Sequence, residues 1–366
     1  MLVATGVAFR PLALIPTAPA PEAVLAPPPA PASLPALDLA QMVTAKDAAA
    51  ESTVAARPAA RQADIPLTHV WQSLNNCGPA SVTMILSSMG IRVSQETARI
   101  PLRGTNVLRG MGPQGVDPWV SAQFGLHAFA RNNGTDALMK SLISNGFAPM
   151  VTQWLYDPPS RISHWRVVRG YDDDAGVYYV ADPMRGAAVP LSYQWFNDNW
   201  RPFQYRYLVL YRPEDLPLLR TILGQEWNDV PSRLSYLARA RGEATAIGSS
   251  EAWLSYGEAA FQAGQLEESV KAFERGLQLG STNGVFNVRS SYPTALRLLG
   301  REQEANAMAS RINSQQPTSP SLTTPNPEEI RQVAAAGGLP NILFRLDEPP
   351  PTPVSARSVA DPVTAR

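Results

Sequence analysis

The sequence predicts an α+β domain over residues 65–212, with helices first and antiparallel strands after, followed by an α-helical region over 213–315. Three observations predict it. Large side chains are confined: of 29 aromatic residues only Phe9 and Phe344 lie outside 65–315, while 20 of the 35 prolines fall in 1–64 and 316–366. Apolar residues keep a helical spacing between Cys77 and Ser144, then give way to short runs rich in Val and aromatics that end at Tyr211. From Glu214 onward the strand signal vanishes. A segment without large apolar side chains buries too little surface to offset its ordering entropy. Residues 1–64, rich in Pro and Ala, and the Pro-rich tail 316–366 are therefore expected to be disordered, and limited proteolysis to trim the chain to about 65–315.

The elements follow in order. Residues 16–36 read as a Pro-Ala spacer and 38–56 as a transient helix without a wide apolar face. Cys77-Gly78-Pro79 opens a helix that stops at Gly90; Pro suits a first turn, where its missing N–H is no loss. Ala80, Val82, Met84, Ile85, Leu86 and Met89 cover more than one face, so this helix is expected to be buried. Asp117-Pro118 reads as the cap and first turn of a second helix closed by Gly125, and Thr135 as the cap of a third helix that Gly146 ends. Strands are expected at 148–153, 165–171, 177–181 and 204–211. Asp172 to Gly176 is the turn between the second and third; a calcium loop would need a D-x-D-x-D-G spacing with a distal Glu, which is missing. A further helix is expected over 231–240.

Residues 251–280 resemble the tetratricopeptide repeat: Trp253, Tyr256, Gly257, Gly264 and Phe273 fit its pattern, while Ser269 and Gly276 replace two usual alanines. A weaker copy follows, in which Leu299-Gly300-Arg301 repeats Ala263-Gly264-Gln265 at a spacing of 36, with Ala305 at the small position. The extra residues fit an Asn283-Gly284 loop. Two such units cannot bury a solenoid core alone, so they must lean on the α+β domain or on the 231–240 helix. A structural cap and a peptide- or protein-binding surface are both open readings of this array.

Lys plus Arg and Asp plus Glu both number 31, giving no net charge. A nucleic-acid groove needs a basic excess, so nucleic acid is not an expected partner. No run of 18 apolar residues predicts a membrane span. The start has no positive charge before Arg10, and Pro21 follows the small-residue triplet Ala18-Pro19-Ala20, so it makes a poor signal peptide. Export through a signal supplied by an upstream start, and otherwise the cytoplasm, are the compartments left open. One cysteine excludes an intrachain disulfide and a cysteine-based zinc site, and His69, His127 and His164 are too scattered to make a close metal pair. No cofactor is expected.

Cys77 is the residue that points to chemistry. Read alone, a lone cysteine is a small buried hydrophobe. Here it starts a helix, where the dipole and unbonded N–H groups favour a thiolate. Gly78 allows close approach, and Gln72 offers an amide to an oxyanion. His164 and Asp182 follow on either side of the expected hairpin. Read singly, His164 is a core histidine, Asp182 a turn cap before Pro183, and Gln72 a surface glutamine. His127 reads as structural, His69 carries no assigned role, and Asn75 and Asn76 form the turn that delivers Cys77. The aromatics Trp154, Tyr156, Trp165, Tyr178, Tyr179, Trp195 and Trp200 are mostly core, with some walling a peptide groove.

The segments W-Q-S-L-N-N-C-G-P-A-S-V-T-M-I-L at 71–86, S-H-W-R-V-V-R-G-Y-D-D at 163–173 and V-A-D-P at 180–183 resemble the bacteriocin-processing, double-glycine-leader cysteine peptidases and their wider C thirty-nine-like group. The resemblance covers 65–212 and implies a papain-like fold. It places the oxyanion glutamine on Gln72, the nucleophile on Cys77, the general base on His164 and the orienting acid on Asp182. The leader peptidases proper precede a membrane exporter. This sequence carries neither a span nor a G-x-x-x-x-G-K-[ST] loop, so leader cleavage does not carry over. What is implied is a thiol hydrolase acting on a peptide or protein substrate. The competing function is a non-catalytic module of the same fold that binds a peptide or partner, and a transamidase is a lesser variant of the enzyme. Cys77→Ala is expected to abolish activity with little change in melting temperature, because the site should be partly open.

The triad also demands a register. Opposite residues in a hairpin share a constant sum of residue numbers, and His164 with Asp182 centres the hairpin on Asp173. A five-residue loop, Asp172 to Gly176, would instead place Asp182 one pleat from His164 on the same face. A four-residue loop sends Asp182 to the opposite face unless a bulge compensates.

Overall fold

The computed structural model describes residues 54–105, 110–156, 162–280 and 288–314. The segments 1–53 and 315–366, with most of both tails, and the Asn283-Gly284 loop lie outside the described residues.

Seven strands form one antiparallel sheet: β1 (Gln62–Asp64), β2 (His127–Arg131), β3 (Met150–Trp154), β4 (Ser163–Asp172), β5 (Val177–Asp182), β6 (Gly186–Ser192) and β7 (Tyr207–Tyr211). Their order is β2-β7-β3-β4-β5-β6, and β1 pairs with the far end of β4 beyond β3. Every residue of β3 and β7 is buried, as expected for central strands covered on both faces. Helices precede and interleave the strands: α1 (Cys77–Ser88), α2 (Gln95–Arg103), α3 (Val116–Phe124), α4 (Asp136–Ser144) and α5 (Tyr193–Trp200). After the sheet come α6 (Leu216–Leu223), α7 (Asp229–Ile247), α8 (Ser250–Gln262), α9 (Leu266–Leu279), α10 (Val288–Leu298) and α11 (Glu302–Ser314).

α1 is the helix expected from Cys77 to Gly90, and it packs on β4. Ten of its twelve residues are buried. Its polar side chains are satisfied internally, Thr83 by the Ala80 carbonyl and Ser81 by the Trp165 carbonyl on β4. Thr135 caps α4 by accepting from the Leu138 N–H, as read from sequence. Asp117 is not the cap of α3. The helix starts one residue earlier, and the Asp117 carboxylate accepts from the Ala128 N–H on β2 instead. The strand expected from Gln204 begins only at Tyr207, because Gln204 and Tyr205 both take left-handed backbone, at φ 61° and 54°. That pair of strained residues anchors the helices that follow. The Gln204 amide oxygen accepts from Asn132 and Gln262, Tyr205 donates to Glu243, and the Arg239 guanidinium lies 3.4 Å from the Tyr205 ring centroid.

A single hydrophobic cluster runs from α1 and the sheet into Tyr236, Leu237 and Ala240 of α7 and Tyr256, Ala259 and Ala260 of α8. A second, smaller cluster holds α8, α9 and α10 together around Leu254, Phe273 and Tyr292. The turns between α8 and α9 and between α10 and α11 each close on a left-handed glycine, Gly264 and Gly300, both at φ 75°.

Order begins earlier than Ile65. β1 lies inside the segment expected to be disordered, and composition could not reveal it, because backbone pairing and one ion pair carry it. Asp64 takes both carboxylate oxygens to Arg169, at 2.7 and 2.6 Å, and Ile65 N–H donates to the Arg169 carbonyl at 2.8 Å. The approach of β1 to β4 requires Gly170, where an added Cβ would sit 2.6 Å from the Ala63 carbonyl oxygen. Gly170→Ala is expected to cost about 1–3 kcal/mol through this overpacking. It should expose 54–64 to protease while leaving the rest of the sheet resistant, and a mass-mapped digest beside a thermal melt checks both.

The hairpin of β4 and β5 carries the register the sequence demanded. Asp172 pairs with Val177, so the loop holds four residues, 173–176, and this alone would put Asp182 on the wrong face. The register then shifts between Val168 and Gly170, a β-bulge that leaves Arg169 without a partner on β5. Beyond it Val168 faces Val180 and Val167 faces Ala181. Continued by one residue, Asp182 stands opposite Arg166, and His164 lies one pleat further on the same face.

Candidate active site

Cys77, His164 and Asp182 come from α1, β4 and β5 and meet in one hydrogen-bonded series. The loop before α1 sets the first of them. Asn75 takes a left-handed φ of 51°, and the Asn76 N–H closes a turn on the Ser73 carbonyl. The first helical bond of α1 runs from Ala80 N to Asn76 O, so the Cys77 N–H is one of the donors left over at the helix start. The Cys77 thiol lies within the influence of His164 and of the backbone N–H groups of Trp165 and Gly78, each of which favours its thiolate. His164 Nε2 lies 2.9 Å from Asp182 Oδ1, which leaves Nδ1 as the ring nitrogen on the thiol side.

Asp182 serves two purposes at once. Its Oδ1 also accepts from the N–H groups of Met184 and Arg185 at 2.8 and 3.1 Å, so it caps the turn before β6 as well as meeting the imidazole. Its backbone carbonyl accepts from His69 Nε2 at 2.8 Å, which gives His69 a supporting place behind the site that the sequence had left unassigned. His127 lies away from this series, on β2, 3.4 Å from Asp117. Gln72 is tied in by its backbone, whose N–H donates to the Pro183 carbonyl at 2.9 Å. The Gln72 side chain is half-buried, and its Oε1 has no hydrogen-bond partner.

The electrostatics follow from burial and charge together. Burial alone would raise the Cys77 thiol, but the hydrogen bond and charge of His164 outweigh it, and the thiol is held below its ordinary value. Burial would lower His164, yet the Asp182 carboxylate and the thiol raise it above the ordinary histidine value. Burial would raise Asp182, but His164 and Arg166 hold it well below the usual carboxylate range. A lowered thiol beside a raised imidazole is the condition for a thiolate–imidazolium pair.

The site is more closed than the sequence suggested. Cys77 is only 8% exposed, and Met111 packs against the neighbouring Gly78, 2.6 Å from where a Cβ there would lie. The Met111 carbonyl is held by the Trp165 indole N–H at 3.0 Å. The expectation of a partly open cysteine therefore does not hold in this structure.

Two neighbours were not singled out from sequence. Gln95, the first residue of α2, clamps the loop that carries Gln72 and Cys77. Its amide nitrogen donates to the Trp71 carbonyl at 2.7 Å, and its oxygen accepts from Ser73 N–H and Asn76 Nδ2 at 2.9 and 2.8 Å. A glutamine at the start of a helix carries no motif, so only the fold brings it to notice. Gln95→Ala removes these bonds and a longer one from Ser73 Oγ at 3.3 Å, each worth about 1 kcal/mol net. Alkylation of Cys77 at pH 6 is expected to slow several-fold, with a melting temperature a few degrees lower; Gln95→Glu, which loses the donor but keeps the acceptor, should fall between. The second neighbour is Arg166, fully buried beside Asp182. Its signal was a charged residue two positions from His164 in a strand, hence on the same inward face. Among the described residues no group of three or more His, Cys, Asp or Glu side chains is arranged to hold a metal ion. Among them, also, no helix is long and apolar enough to cross a membrane.

Residues 57–208 match the family model described as the Peptidase_C39 like family. Among solved structures, the chain is similar to a double glycine motif protease from an AMS/PCAT transporter, in complex with the leader peptide. The identity is 20%, over 41% of this chain and 94% of that one, with a TM-score of 0.32. It is similar also to the peptidase domain of Streptococcus ComA, a bifunctional ABC transporter of a quorum-sensing pathway. There the identity is 19%, over 40% of this chain and 98% of that one, with a TM-score of 0.31. No curated protein matches.

Proposed function

We propose that this protein is a cysteine peptidase, or an amidase of the same mechanism, that cleaves a peptide bond through Cys77, His164 and Asp182. The observation that carries the reading is the bonded series itself: three residues from separate elements, two of them brought onto one face by the bulge at Arg169. In this mechanism His164 takes the thiol proton, and the Cys77 sulfur attacks the carbonyl carbon. The Cys77 N–H and the Gln72 amide receive the oxyanion. His164 then gives its proton to the leaving amine, and water, deprotonated by His164, releases the acyl group from sulfur. Asp182 holds the ring orientation and offsets the imidazolium charge. Residues 65–212 form the peptidase-like domain in this reading. The hairpins α8–α9 and α10–α11 form two tetratricopeptide-like repeats packed on it through α7, and a protein partner through that region is part of the proposal.

The burial of Cys77 favours a second reading, a non-catalytic module of the same fold that binds a peptide or partner. Alkylation separates the two. An activated cysteine reacts fastest between the lowered thiol pKa and the raised imidazole pKa, so its rate at pH 6 should exceed that of a free thiol by at least tenfold. A rate at or below that of glutathione across pH 5–8 would sink the enzyme reading. Labelling by a library of peptide-based electrophiles would then identify the substrate class.

A further inference from the structure

We propose that Arg166 is the positioning residue of this site: it fixes the Asp182 carboxylate and supplies the positive charge that lets Cys77 and His164 hold an ion pair inside the protein. The inference rests on the reading of Cys77 as an activated nucleophile. Arg166 is 0% exposed, and its Nε lies 3.5 Å from Asp182 Oδ2, with both side chains fully buried. Asp182 therefore meets a cation on each side, His164 at Oδ1 and Arg166 at Oδ2. The guanidinium spends little of its bonding capacity elsewhere. Nη2 makes one long contact, 3.5 Å to the Trp154 carbonyl, the Trp195 ring lies 5.6 Å from Cζ, and Nε and Nη1 have no hydrogen-bond partner. A guanidinium kept fully buried with two donors unused needs a reason other than packing.

Charge balance gives the reason. Thiolate, imidazolium and Asp182 carboxylate together carry one net negative charge, which is costly in a closed site. Arg166 brings the total to zero. The other charged and titratable groups facing this guanidinium do not replace it. Tyr156, after β3, is pushed up to about 12 by burial and stays neutral. Arg185, in the turn after β5, is exposed. On the far side Arg103 of α2 acts on Cys77 rather than on Asp182. Losing Arg166 removes a positive charge from both the thiol and the imidazole environments, so both apparent pKa values move upward, and the reactive window shifts to higher pH as a whole.

The test is the pH profile of Cys77 alkylation by iodoacetamide on the full chain, for wild type, Arg166→Lys and Arg166→Met. The acid limb is expected to rise by roughly one pH unit or more in the Met variant, the size of shift that loss of a close opposite charge brings. Lysine, which keeps the charge, should recover more than half of that displacement. A folded Met variant with the wild-type profile overturns the proposal, and so does a Lys variant displaced as far as Met. If wild-type Cys77 already reacts like a free thiol, the reading of the site as catalytic has failed instead. Should Arg166→Met not fold, the double variant Arg166→Met/Asp182→Asn decides. The two charges leave together, so its melting temperature should lie above that of Asp182→Asn alone. A lower or equal value overturns the pairing.

Discussion

Asp182→Asn is expected to lose about 3–5 kcal/mol of stability, the usual cost of removing one partner from a buried ion pair. Asn keeps the shape and can still cap the turn at Met184 and Arg185. It cannot offset Arg166, whose guanidinium is left buried with one long bond to the Trp154 carbonyl. In a domain of this size the loss should appear as a fall in melting temperature on the order of 10 °C. The pH dependence fixes the sign. Asp182 has its folded pKa lowered, so its contribution is fully present above the unfolded value, about 3.9, and is lost as pH falls through the folded value. Wild type should therefore exceed the variant throughout pH 5 to 7, with a gap that widens toward pH 5 because Asp182 also raises His164 and stabilises its imidazolium, and the two should converge only in strong acid. A gap that closes between pH 5 and 7 would show that the carboxylate is not held as described. Equal melting temperatures at pH 7 would remove Asp182 from the buried pair.

Cys77→Ala should abolish covalent labelling and reduce peptide hydrolysis by about 10⁴-fold or more, since no other residue can form the acyl intermediate. Unlike the expectation from sequence, it should also cost stability, roughly 1–2 kcal/mol. Cys77 is buried, and removal of its sulfur leaves a small cavity and takes away the partner of the His164 imidazole. Cys77→Ser keeps most of the volume and separates the two effects: it should lose the activity and recover most of the stability. Retained hydrolysis in the alanine variant would rule out the mechanism.

Much of the site was legible before the fold was known, for identifiable reasons. α1 announced itself by Pro79 in its first turn and Gly90 at its end, and both stand where helix physics wants them. The hairpin was harder. The acidic run and Gly176 located the turn, and the need for His164 and Asp182 to share a face left only an odd loop or a bulge. The structure uses a four-residue loop and a bulge at Arg169. Nothing local marks that residue as the bulged one, because its reason lies far away in Asp64, which it pairs with across 105 positions. The same holds for β1, Gln95 and the left-handed pair Gln204 and Tyr205. Each owes its conformation to partners distant in sequence, which neither composition nor periodicity can see. Cys77 misled in the other direction: it is buried, and only three-dimensional packing could show that.

The place of β7 in the sheet bears on how the protein is made. It is the last strand synthesised, yet it sits between β2 and β3 rather than at an edge, pairing Leu208 and Tyr207 with Met150 and Val151. A nascent chain that has emerged only as far as β6 carries Cys77, His164 and Asp182 but has a gap where its sheet should be continuous. The pairings that fill it span 56 to 84 positions, and contacts of that separation form late. In the proposed reading, assembly of the triad is thereby delayed until that strand is made. Cys77 and His164 are on the growing polypeptide for at least the time needed to add the final strand, but the sheet that holds His164 is incomplete until that strand is threaded into the middle.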